Sequence, residues 1–523
     1  MTTRPHRRIR GTATIIVAAV GLVGVAIAGT AQAGAASAQR GARPALAAPG
    51  TDLLANGDAE FGEPSLSGYD AVTIPGWQVQ QGLPTVAMYG EGGGFPGRNQ
   101  PGPKDRGTNL FAGGAGGTSI ITQTVDIGSA ASSGATFQLS AWLGGRGKRT
   151  DAASVQLTFR DAGGSWLGTS TLGPVTPADR GNATELLHRA RTGALPAGTS
   201  AIDVALILTT TGKNYDTHFS SVVGYNRAYA DDLSLTLSVP AEAPLVTPPP
   251  AAVPHFDHVF FTVMENQNFN DVIGNTAEAP FLNSLLSRGS LLGSFFAEAH
   301  WSDPNYLAFS GGSAFGILHD PIEGNPQYTI DAPNIGDLVE NAGETWKGYA
   351  QSANGPCDNS IHGAYYNDDM PFLYYRDIKD DPARCDAHLV PWADFGADLQ
   401  RAATTPNFVW MGPNDYYDME GGGISAGDTF LRQALSKVFR SPAWTDQRSL
   451  IVITFDEDYG NGERPAQLVP TIVLGSQGVK QGYESFTRTT HYGLLRMVEG
   501  ALGLGTLTSN DRYATVPGDI FDP

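Results

Sequence analysis

The distribution of hydrophobic and polar residues divides the chain into two parts with different periodicities. Between residue 51 and about residue 238, short runs alternate apolar and polar residues and are separated by glycine-rich turns. This period of two is typical of strands in an antiparallel sandwich. We therefore predict an all-β sandwich over residues 51–238, with strands at Ser119–Val125, Thr136–Leu143, Ser154–Arg160, Ala201–Thr209 and Leu233–Leu237.

A proline-rich segment at residues 239–254 separates the two parts. Its composition predicts a semi-rigid, extended spacer. In residues 255–523, apolar runs of strand length alternate with helical patterns, which predicts an α/β domain with helices on both faces of a sheet. The predicted strands are His258–Val263, Asn407–Met411, Ser449–Phe455 and Pro470–Leu474, and the predicted helices are Ala279–Ser287, Trp392–Ala403, Asp428–Phe439 and Tyr492–Leu502.

The first 33 residues have the pattern of an export signal. A basic stretch at Arg4–Arg10 precedes an apolar stretch at Ile15–Ala28 and a small-residue cleavage site at Ala31–Ala33. We predict a signal peptide over residues 1–33 and a secreted protein, with an uncleaved membrane anchor as the alternative and the export route left open. Residues 34–50 are rich in alanine, glycine and proline and are predicted to be disordered. No later stretch is long and apolar enough to span a membrane.

Composition narrows the range of partners. The 523 residues carry a formal net charge of −19, and 41% of them are hydrophobic, which is typical of a globular protein with acidic surfaces. Such a surface repels DNA, RNA and anionic lipid, so binding to nucleic acid is not expected. An anionic substrate is still compatible with this charge, because a bound metal ion can reverse its sign locally.

The chain contains two cysteines, Cys357 and Cys385, separated by 28 residues. An oxidising compartment favours a disulfide between them. A loop of this length corresponds to roughly 3–4 kcal/mol of stabilisation if the bond acts on the entropy of the unfolded chain.

Three of the predicted strands of the α/β domain lead directly into polar clusters. In an open α/β sheet, the carboxyl ends of the strands form the edge at which ligands bind, so the clusters are expected to meet there. Carboxylates gathered in one place repel one another unless a cation lies between them, which makes a metal site plausible. Any one cluster alone would be read as solvated turn residues. The clusters are Glu265-Asn266, then Asn414, Asp415, Asp418 and Glu420, and finally Asp456-Glu457-Asp458.

Four segments of the α/β domain carry a family resemblance, in the same order and with similar spacing. They read E-N-Q-N-F-N at 265–270, H-W-S-D-P-N-Y-L-A at 300–308, F-D-E-D-Y-G at 455–460 and T-H-Y-G-L-L-R at 490–496. The region from about Phe256 to Leu504 thereby resembles the phosphoesterase family of bacterial acid phosphatases and phospholipases C. This resemblance implies an alkaline-phosphatase-like α/β fold, with a mixed sheet flanked by helices, and hydrolysis of phosphoric esters.

The resemblance also implies roles for individual residues. Ser302 matches the nucleophile, which becomes transiently phosphorylated, while His300 and His491 match catalytic residues near the phosphoryl oxygens or the leaving group. Asn305 matches a substrate-binding position. The positions implied to hold a divalent metal ion of unknown identity are Glu265, Asn266, Ser302, Asp456 and Glu457. Whether the substrate is a phosphomonoester or a phospholipid head group stays open.

Two positions depart from the family pattern. Asp369 and Glu420 stand where the family has histidines, and Asp418 lies beside the second of them. These three carboxylates either help to hold a second cation near the substrate or mark a loss of phosphatase activity. We favour the first interpretation, because Ser302 and the main metal positions are retained. The alternative is a non-catalytic, carbohydrate-binding extracellular protein on a phosphoesterase scaffold.

The first part of the chain resembles a different group of proteins. Segments at 54–61, 74–77, 139–143 and 230–235 resemble galactose-binding-like jelly rolls. The resemblance implies a jelly-roll sandwich, and a glycan is a possible ligand of such a module. Glu60 and Asp232 could frame a structural Ca²⁺, although ordinary turn carboxylates are an equal interpretation.

Overall fold

The computed structural model describes residues 46–127, 134–211, 224–320, 328–367, 369–460 and 467–522. The predicted signal peptide lies outside the described residues. Within the segment predicted to be disordered, Leu46–Ala47 forms a short strand that pairs with Ala241–Glu242. Ordered structure therefore begins before residue 51.

The first part of the chain is an antiparallel, sandwich-like region, in which all five predicted strands are present and five more are added. Its strands are β1 (Leu46–Ala47), β2 (Gln78–Met88), β3 (Asn109–Asp126), β4 (Thr136–Gly145), β5 (Ala152–Arg160), β6 (Trp166–Val175), β7 (Glu185–Ala194), β8 (Ala201–Thr209), β9 (Tyr225–Leu237) and β10 (Ala241–Glu242). Apart from the β1–β10 pair, the strand order is β6-β5-β8-β3-β9-β4-β7, with β2 also paired to β3.

The long strand β3 connects the two layers of this region. Its second half, Ser119–Asp126, pairs with β8, its first half pairs with β9, and β2 pairs with both halves. Alternate residues of the strands face inward, as the period of two predicts. Leu139, Leu157 and Leu206 are fully buried in the resulting core.

The second part of the chain is built on a mixed sheet of eight strands. These strands are β11 (His258–Met264), β12 (Ser290–Leu292), β14 (Trp346–Ala350), β15 (Leu389–Pro391), β16 (Phe408–Gly412), β17 (Ser449–Phe455), β18 (Ile472–Gly475) and β19 (Tyr483–Ser485). Two further short strands, β13 (Phe295–Phe296) and β20 (Thr489–Thr490), pair with each other. The order in the large sheet is β15-β14-β16-β11-β17-β18-β12-β19.

The centre of this sheet is parallel. Strands β15, β14, β16, β11 and β17 run in the same direction, whereas β18 is antiparallel to both β17 and β12. Every residue of β11, β16 and β17 is buried, which explains why their sequences are continuous apolar runs rather than alternating ones. The carboxyl ends of these three strands consequently lie side by side.

Helices accompany the sheet and bury their apolar sides against it in one large core, which includes Val259, Trp410 and Ile451. The helices are α1 (Phe269–Val272), α2 (Pro280–Leu285), α3 (Ser302–Gly311), α4 (Ile335–Asn341), α5 (Arg376–Lys379), α6 (Pro382–His388), α7 (Trp392–Asp398), α8 (Ile424–Val438), α9 (Pro442–Thr445), α10 (His491–Ala501) and α11 (Ser509–Tyr513), with short 3₁₀ turns at Pro371–Tyr374, Ala402–Thr404 and Gly518–Ile520.

The proline-rich segment lies against the second part of the chain and is not a detached spacer. The Arg496 guanidinium donates a hydrogen bond to the carbonyl of Pro249, and Val253 lies where a side chain on Gly500 would otherwise extend. The two parts also contact each other directly, because the amide of Ala71 donates to the carbonyl of Glu298.

The predicted disulfide is present. Cys357 and Cys385 are bonded, with their Cα atoms 5.3 Å apart, and the bond ties the loop after β14 to α6. Among the described residues, no helix has the length and apolar character needed to cross a membrane.

Candidate active site

The carboxyl ends of the central strands bring the predicted polar clusters together. Glu265 directly follows β11, and its amide donates to the carbonyl of Asp418, which lies beyond β16, at 2.8 Å. Asp456 directly follows β17, and its Oδ1 accepts a hydrogen bond from the amide of Asn266 at 2.9 Å. The expectation that these clusters share one edge of the sheet is therefore met.

Ser302 lies in the same cluster, as the first residue of α3. Its Oγ donates to Oε2 of Glu265 at 2.9 Å, and the Asn266 side-chain amide donates to the same oxygen at 3.1 Å. The other oxygen of Glu265 accepts a hydrogen bond from the hydroxyl of Tyr306 at 2.5 Å. The buried Glu265 carboxylate thus joins the serine at the start of α3 to the end of β11.

The backbone immediately before Ser302 is strained. Trp301 has φ 127° and ψ 143°, a combination that is almost restricted to glycine. The peptide groups on both sides of Trp301 are held: its amide donates to Oε2 of Glu457 at 2.7 Å, and its carbonyl accepts from the Asn305 side chain at 3.0 Å. This turn fixes the position at which α3 begins, and with it the position of the Ser302 hydroxyl.

Asn305 is fully buried and bonded to backbone. Its Oδ1 accepts from the amides of Glu298 at 3.2 Å and Ala299 at 3.1 Å, and its Nδ2 donates to the carbonyls of Ala299 and Trp301, each at 3.0 Å. All of these partners belong to the loop that leads to Ser302. The contacts make Asn305 a positioning residue for that loop, and whether it also meets substrate stays a prediction.

His300 is paired with Glu457. Nδ1 of His300 lies 2.5 Å from Oε2 of Glu457, and the His300 side chain is 12% exposed. Burial alone would lower the pKa of His300, but the hydrogen bond and the charge of Glu457 outweigh it and raise the pKa. Oε2 of Glu457, a residue predicted to bind metal, therefore contacts His300 and the Trp301 amide.

His491 occupies a different environment from His300. It is fully buried at the start of α10, between the rings of Phe295 and Phe309, and its Nδ1 lies 2.7 Å from Oε2 of Glu298. Its Nε2 is 3.3 Å from the carbonyl of Phe455, the residue before Asp456. In this arrangement His491 contacts the last residue of β17 from within the core and is not exposed to solvent.

The electrostatics of the site are dominated by carboxylates. Burial, followed by the charges of Asp456, Asp369 and Asp418, raises the pKa of Glu265 well above its usual range. Burial likewise raises the pKa of Asp456, and it raises the pKa of Asp418 to about 9. Asp369 is thereby placed close enough to act on the cluster.

Glu420 belongs to the same group, and burial together with the charges of Asp456 and Asp415 raises its pKa. Within the described ranges, no lysine or arginine forms an ion pair with Glu265, Asp418, Asp456 or Glu420. Among the described residues, these four acids therefore have no lysine or arginine partner that would balance their negative charge.

The donor chemistry of the cluster fits a hard divalent cation. One buried oxygen of Asp456, Oδ2, accepts no hydrogen bond, and the side chains of Glu265, Asn266 and Ser302, which are hydrogen-bonded to one another, carry further oxygens of the kind that such an ion binds. Where the structure describes the chain, no three histidine, cysteine, aspartate or glutamate side chains converge on one point. This is compatible with the predicted set, because Asn266 and Ser302 supply two of its ligands and Glu457 is turned toward His300.

Glu60 and Asp232, the two residues that could frame a Ca²⁺, lie in the sandwich-like region. The Glu60 carboxylate accepts hydrogen bonds from Thr108 and from the amide of Asn109, so neutral donors already satisfy it. Burial, then the charges of nearby carboxylates including Glu60, raises the pKa of Asp232. A calcium ion there stays a prediction.

Three residues with clear contacts in the site had no assigned role in the sequence. Tyr306 bonds to Glu265, and its position four residues after Ser302 on one helix was a usable signal for a shared face. Glu298 pairs with His491, and Asp320 accepts a hydrogen bond from the amide of Asp303 at the start of α3. Neither acid had a sequence signal, because their contacts depend on loops that fold back onto the site.

Comparisons with known proteins point in one direction. The profile described as "Phosphoesterase family" matches residues 275–505. A phosphatidylinositol-3-phosphatase of Mycobacterium tuberculosis is 33% identical over 294 residues, which are 55% of this chain and 90% of that protein. An acid phosphatase of Aspergillus fumigatus is 24% identical over 270 residues, covering 50% of this chain and 58% of the fungal one.

A solved structure adds only a distant likeness. A protein in the alkaline phosphatase superfamily from Vibrio parahaemolyticus covers 51% of this chain and 71% of its own, with 14% identity and a TM-score of 0.38. The sequence comparisons carry the assignment, since the mycobacterial relative is matched over nearly its whole length. The chain therefore belongs to the phosphoesterase family and is a hydrolase that acts on phosphoric ester bonds.

Proposed function

We propose that the protein is a secreted, metal-dependent phosphomonoesterase that works through a phosphoserine at Ser302. The observation that carries this proposal is the hydroxyl of Ser302, hydrogen-bonded to Glu265 inside a cluster of buried carboxylates. A hydroxyl is a weak nucleophile unless a neighbouring base or a metal ion activates it, and this cluster offers a base in Glu265 and oxygen atoms that could bind a metal ion. Export would place the protein where the Cys357–Cys385 disulfide is stable.

The proposed substrate class is a phosphomonoester, because the relatives described above are named as phosphatases. The alkaline-phosphatase-like fold inferred from sequence is part of the same proposal, as is the jelly-roll identity of the first sandwich. Asp369, Asp418 and Glu420 are proposed to hold a second cation on the substrate side of the cluster. Without a cation, these carboxylates would repel a phosphate.

A divalent ion held by Glu265, Asn266, Ser302 and Asp456 would neutralise charge on the phosphoryl oxygens and lower the pKa of the serine hydroxyl. The chain's own residues supply the positioning. Ser302 presents its Oγ from a strained and doubly held turn, so little rearrangement is needed before in-line attack. As the Oγ–phosphorus bond forms, the serine proton leaves along its hydrogen bond to Glu265.

Departure of the alcohol needs a proton, and His300 is the proposed donor. Glu457 holds Nδ1 of His300, which fixes the ring and favours its protonated form, so that the second ring nitrogen serves the leaving oxygen. A water molecule then cleaves the phosphoserine, with His300 accepting a proton from that water. As the Oγ–phosphorus bond breaks, Oγ of Ser302 takes back its proton from Glu265, so inorganic phosphate and free Ser302 are the products of this second step.

The decisive experiment measures hydrolysis of a chromogenic phosphomonoester and a chromogenic phosphodiester by wild-type protein, Ser302→Ala and Ser310→Ala. Ser310 is a matched control, because it lies on the same helix and its hydroxyl bonds to the carbonyl of Tyr306, away from Glu265. Each protein is assayed before and after treatment with a chelator and again after a divalent cation is restored.

We expect turnover of the monoester that is lost with the chelator, regained with the cation, abolished in Ser302→Ala and retained in Ser310→Ala. Faster cleavage of the diester would contradict the proposed substrate class. Full activity of Ser302→Ala would contradict the proposed nucleophile, and activity that no chelator affects would contradict the role of the metal.

A further inference from the structure

A cavity lies between the sandwich-like region and the α/β region. Its volume is about 400 Å³, which is within the range of small-molecule sites. One wall comes from the loop before β2 and from β2 itself, with Ile74, Trp77 and Leu83, and the other comes from residues 486–490 and 513–515. None of the residues assigned above to the metal cluster or to the nucleophile lines this cavity, although Glu298, which pairs with His491, belongs to its lining.

Among the described residues that line the cavity, one side chain is a cation, that of Arg488. Its guanidinium stacks on Phe296, with Cζ 3.7 Å from the ring centre, and donates a hydrogen bond to the carbonyl of Gly82 in the opposite wall. Within the described parts of the chain, no carboxylate lies within 4.0 Å of it. Burial alone lowers the pKa of Arg488 to about 10, without an opposing effect from an acidic neighbour.

The only other charged residue in the described lining is Glu298, and its oxygens are engaged elsewhere. Oε2 contacts His491 at 2.7 Å, and Oε1 accepts from the amide of Tyr492 at 3.2 Å. Glu298 is 1% exposed, so it belongs to the floor of the cavity and leaves Arg488 as the charge that a ligand would meet. Arg488 is partly buried, and removing a guanidinium from water without a carboxylate partner has a cost that a bound anion would offset.

The remaining lining combines an apolar wall with polar side chains, which include five threonines and two glutamines. Ile74, Trp77, Leu83 and Pro84 face the cavity from the sandwich-like region. Phe486 is 71% exposed, so its ring is accessible to a ligand that enters the cavity. A cavity with one fixed cation, several hydroxyl groups and an apolar wall matches a ligand that has one acidic group on an apolar ring.

We propose that this cavity is a binding site for a small organic anion, with a carboxylate, sulfonate or phosphate group on Arg488 and an apolar ring against Trp77 and Phe486. Hydrogen bonds from a guanidinium to an anion are among the stronger ones in proteins. The ring would occupy space that is now lined by side chains of both regions, so the ligand would also hold the two regions together.

The test uses anilinonaphthalene sulfonate, a fluorescent monoanion with an apolar ring system, and N-phenylnaphthylamine, which has the same rings without the sulfonate. Both are titrated into the full-length protein, into Arg488→Met and Phe486→Ala, and into Arg376→Met as the control. Arg376 is a surface arginine whose side chain is 53% exposed. Near-UV circular dichroism checks that each variant is folded.

We expect one saturable site for the sulfonate per chain, at least about tenfold weaker binding in Arg488→Met, and unchanged binding in Arg376→Met. The neutral probe should lose affinity in Phe486→Ala and change much less in Arg488→Met. If Arg488→Met fails to fold, Arg488→Lys, which keeps the charge, and Phe486→Ala still decide the outcome. The absence of a saturable site, or equal losses for both probes in Arg488→Met, would overturn the proposal.

Discussion

Replacement of Asn305 by alanine tests how the active-site serine is held in place. The Asn305 side chain makes four hydrogen bonds to the loop at residues 298–301 and is fully buried. A buried hydrogen bond contributes about 1 kcal/mol, and an unsatisfied buried partner costs more. We therefore expect Asn305→Ala to lower the free energy of unfolding by about 3–5 kcal/mol.

The same change should affect catalysis beyond its effect on stability. Without Asn305, one side of the strained Trp301 peptide is released, and Ser302 can relax away from its position beside Glu265. A displacement of about 1 Å at a reacting atom can lower kcat by roughly a hundredfold. Stability is measured by urea denaturation, and kcat is measured on a phosphomonoester at a temperature where the variant is fully folded.

Asn226→Ala is the matched control for this experiment. Asn226 is also fully buried and makes three hydrogen bonds to backbone, to Gly117, Leu208 and Ala228, but it lies in the sandwich-like region. It should lose comparable stability while kcat stays near the wild-type value. If Asn305→Ala loses stability but keeps wild-type kcat, the positioning role of Asn305 is refuted.

Three other predictions address the metal, a buried acid and the disulfide. Removal of divalent cations should lower the melting temperature of the wild-type protein, because the carboxylates of Glu265 and Asp456 lose their counter-ion; an unchanged melting temperature would argue against a bound metal. Glu499 is 1% exposed, and burial followed by the charge of Asp511 raises its pKa, so its contribution to stability is present below about pH 4 and is lost as the pH rises through the folded-state pKa. Glu499→Gln should therefore raise the melting temperature more at alkaline than at acidic pH, and a gain independent of pH would contradict this. Replacing both Cys357 and Cys385 by serine should cost roughly 3–4 kcal/mol in unfolding experiments, whereas a loss below about 1 kcal/mol would show that the loop is restrained by other contacts.

The sequence predicted four of the eight strands of the large sheet, β11, β16, β17 and β18, because they are continuous apolar runs, and it missed β12, β14, β15 and β19. His258–Met264 and Ser449–Phe455 are buried on both faces, and the acidic residues that follow them could be placed at one edge by topology alone. The motif around Ser302 then identified the nucleophile candidate. The short strands β13, β19 and β20 carried too few residues for a pattern to be recognised.

The contacts that define individual roles could not be read from the sequence. The engagement of Glu457 with His300, and of His491 with Glu298, depends on how loops distant in sequence pack together. The left-handed or otherwise strained backbone at Asn266 and Trp301 also has no sequence signature, because residues other than glycine rarely adopt it. Side-chain partners in a site are set by tertiary packing, which local periodicity does not encode.

The most direct test of the central claim is to trap the phosphorylated enzyme. Wild-type protein loaded with a divalent cation is mixed with excess phosphomonoester and quenched in acid within the first turnover, and its peptides are analysed by mass spectrometry. The account predicts one added phosphoryl group, located on Ser302 and absent from Ser302→Ala. Complete turnover with no phosphorylated peptide at any quench time, or the phosphoryl group on another residue, would contradict it.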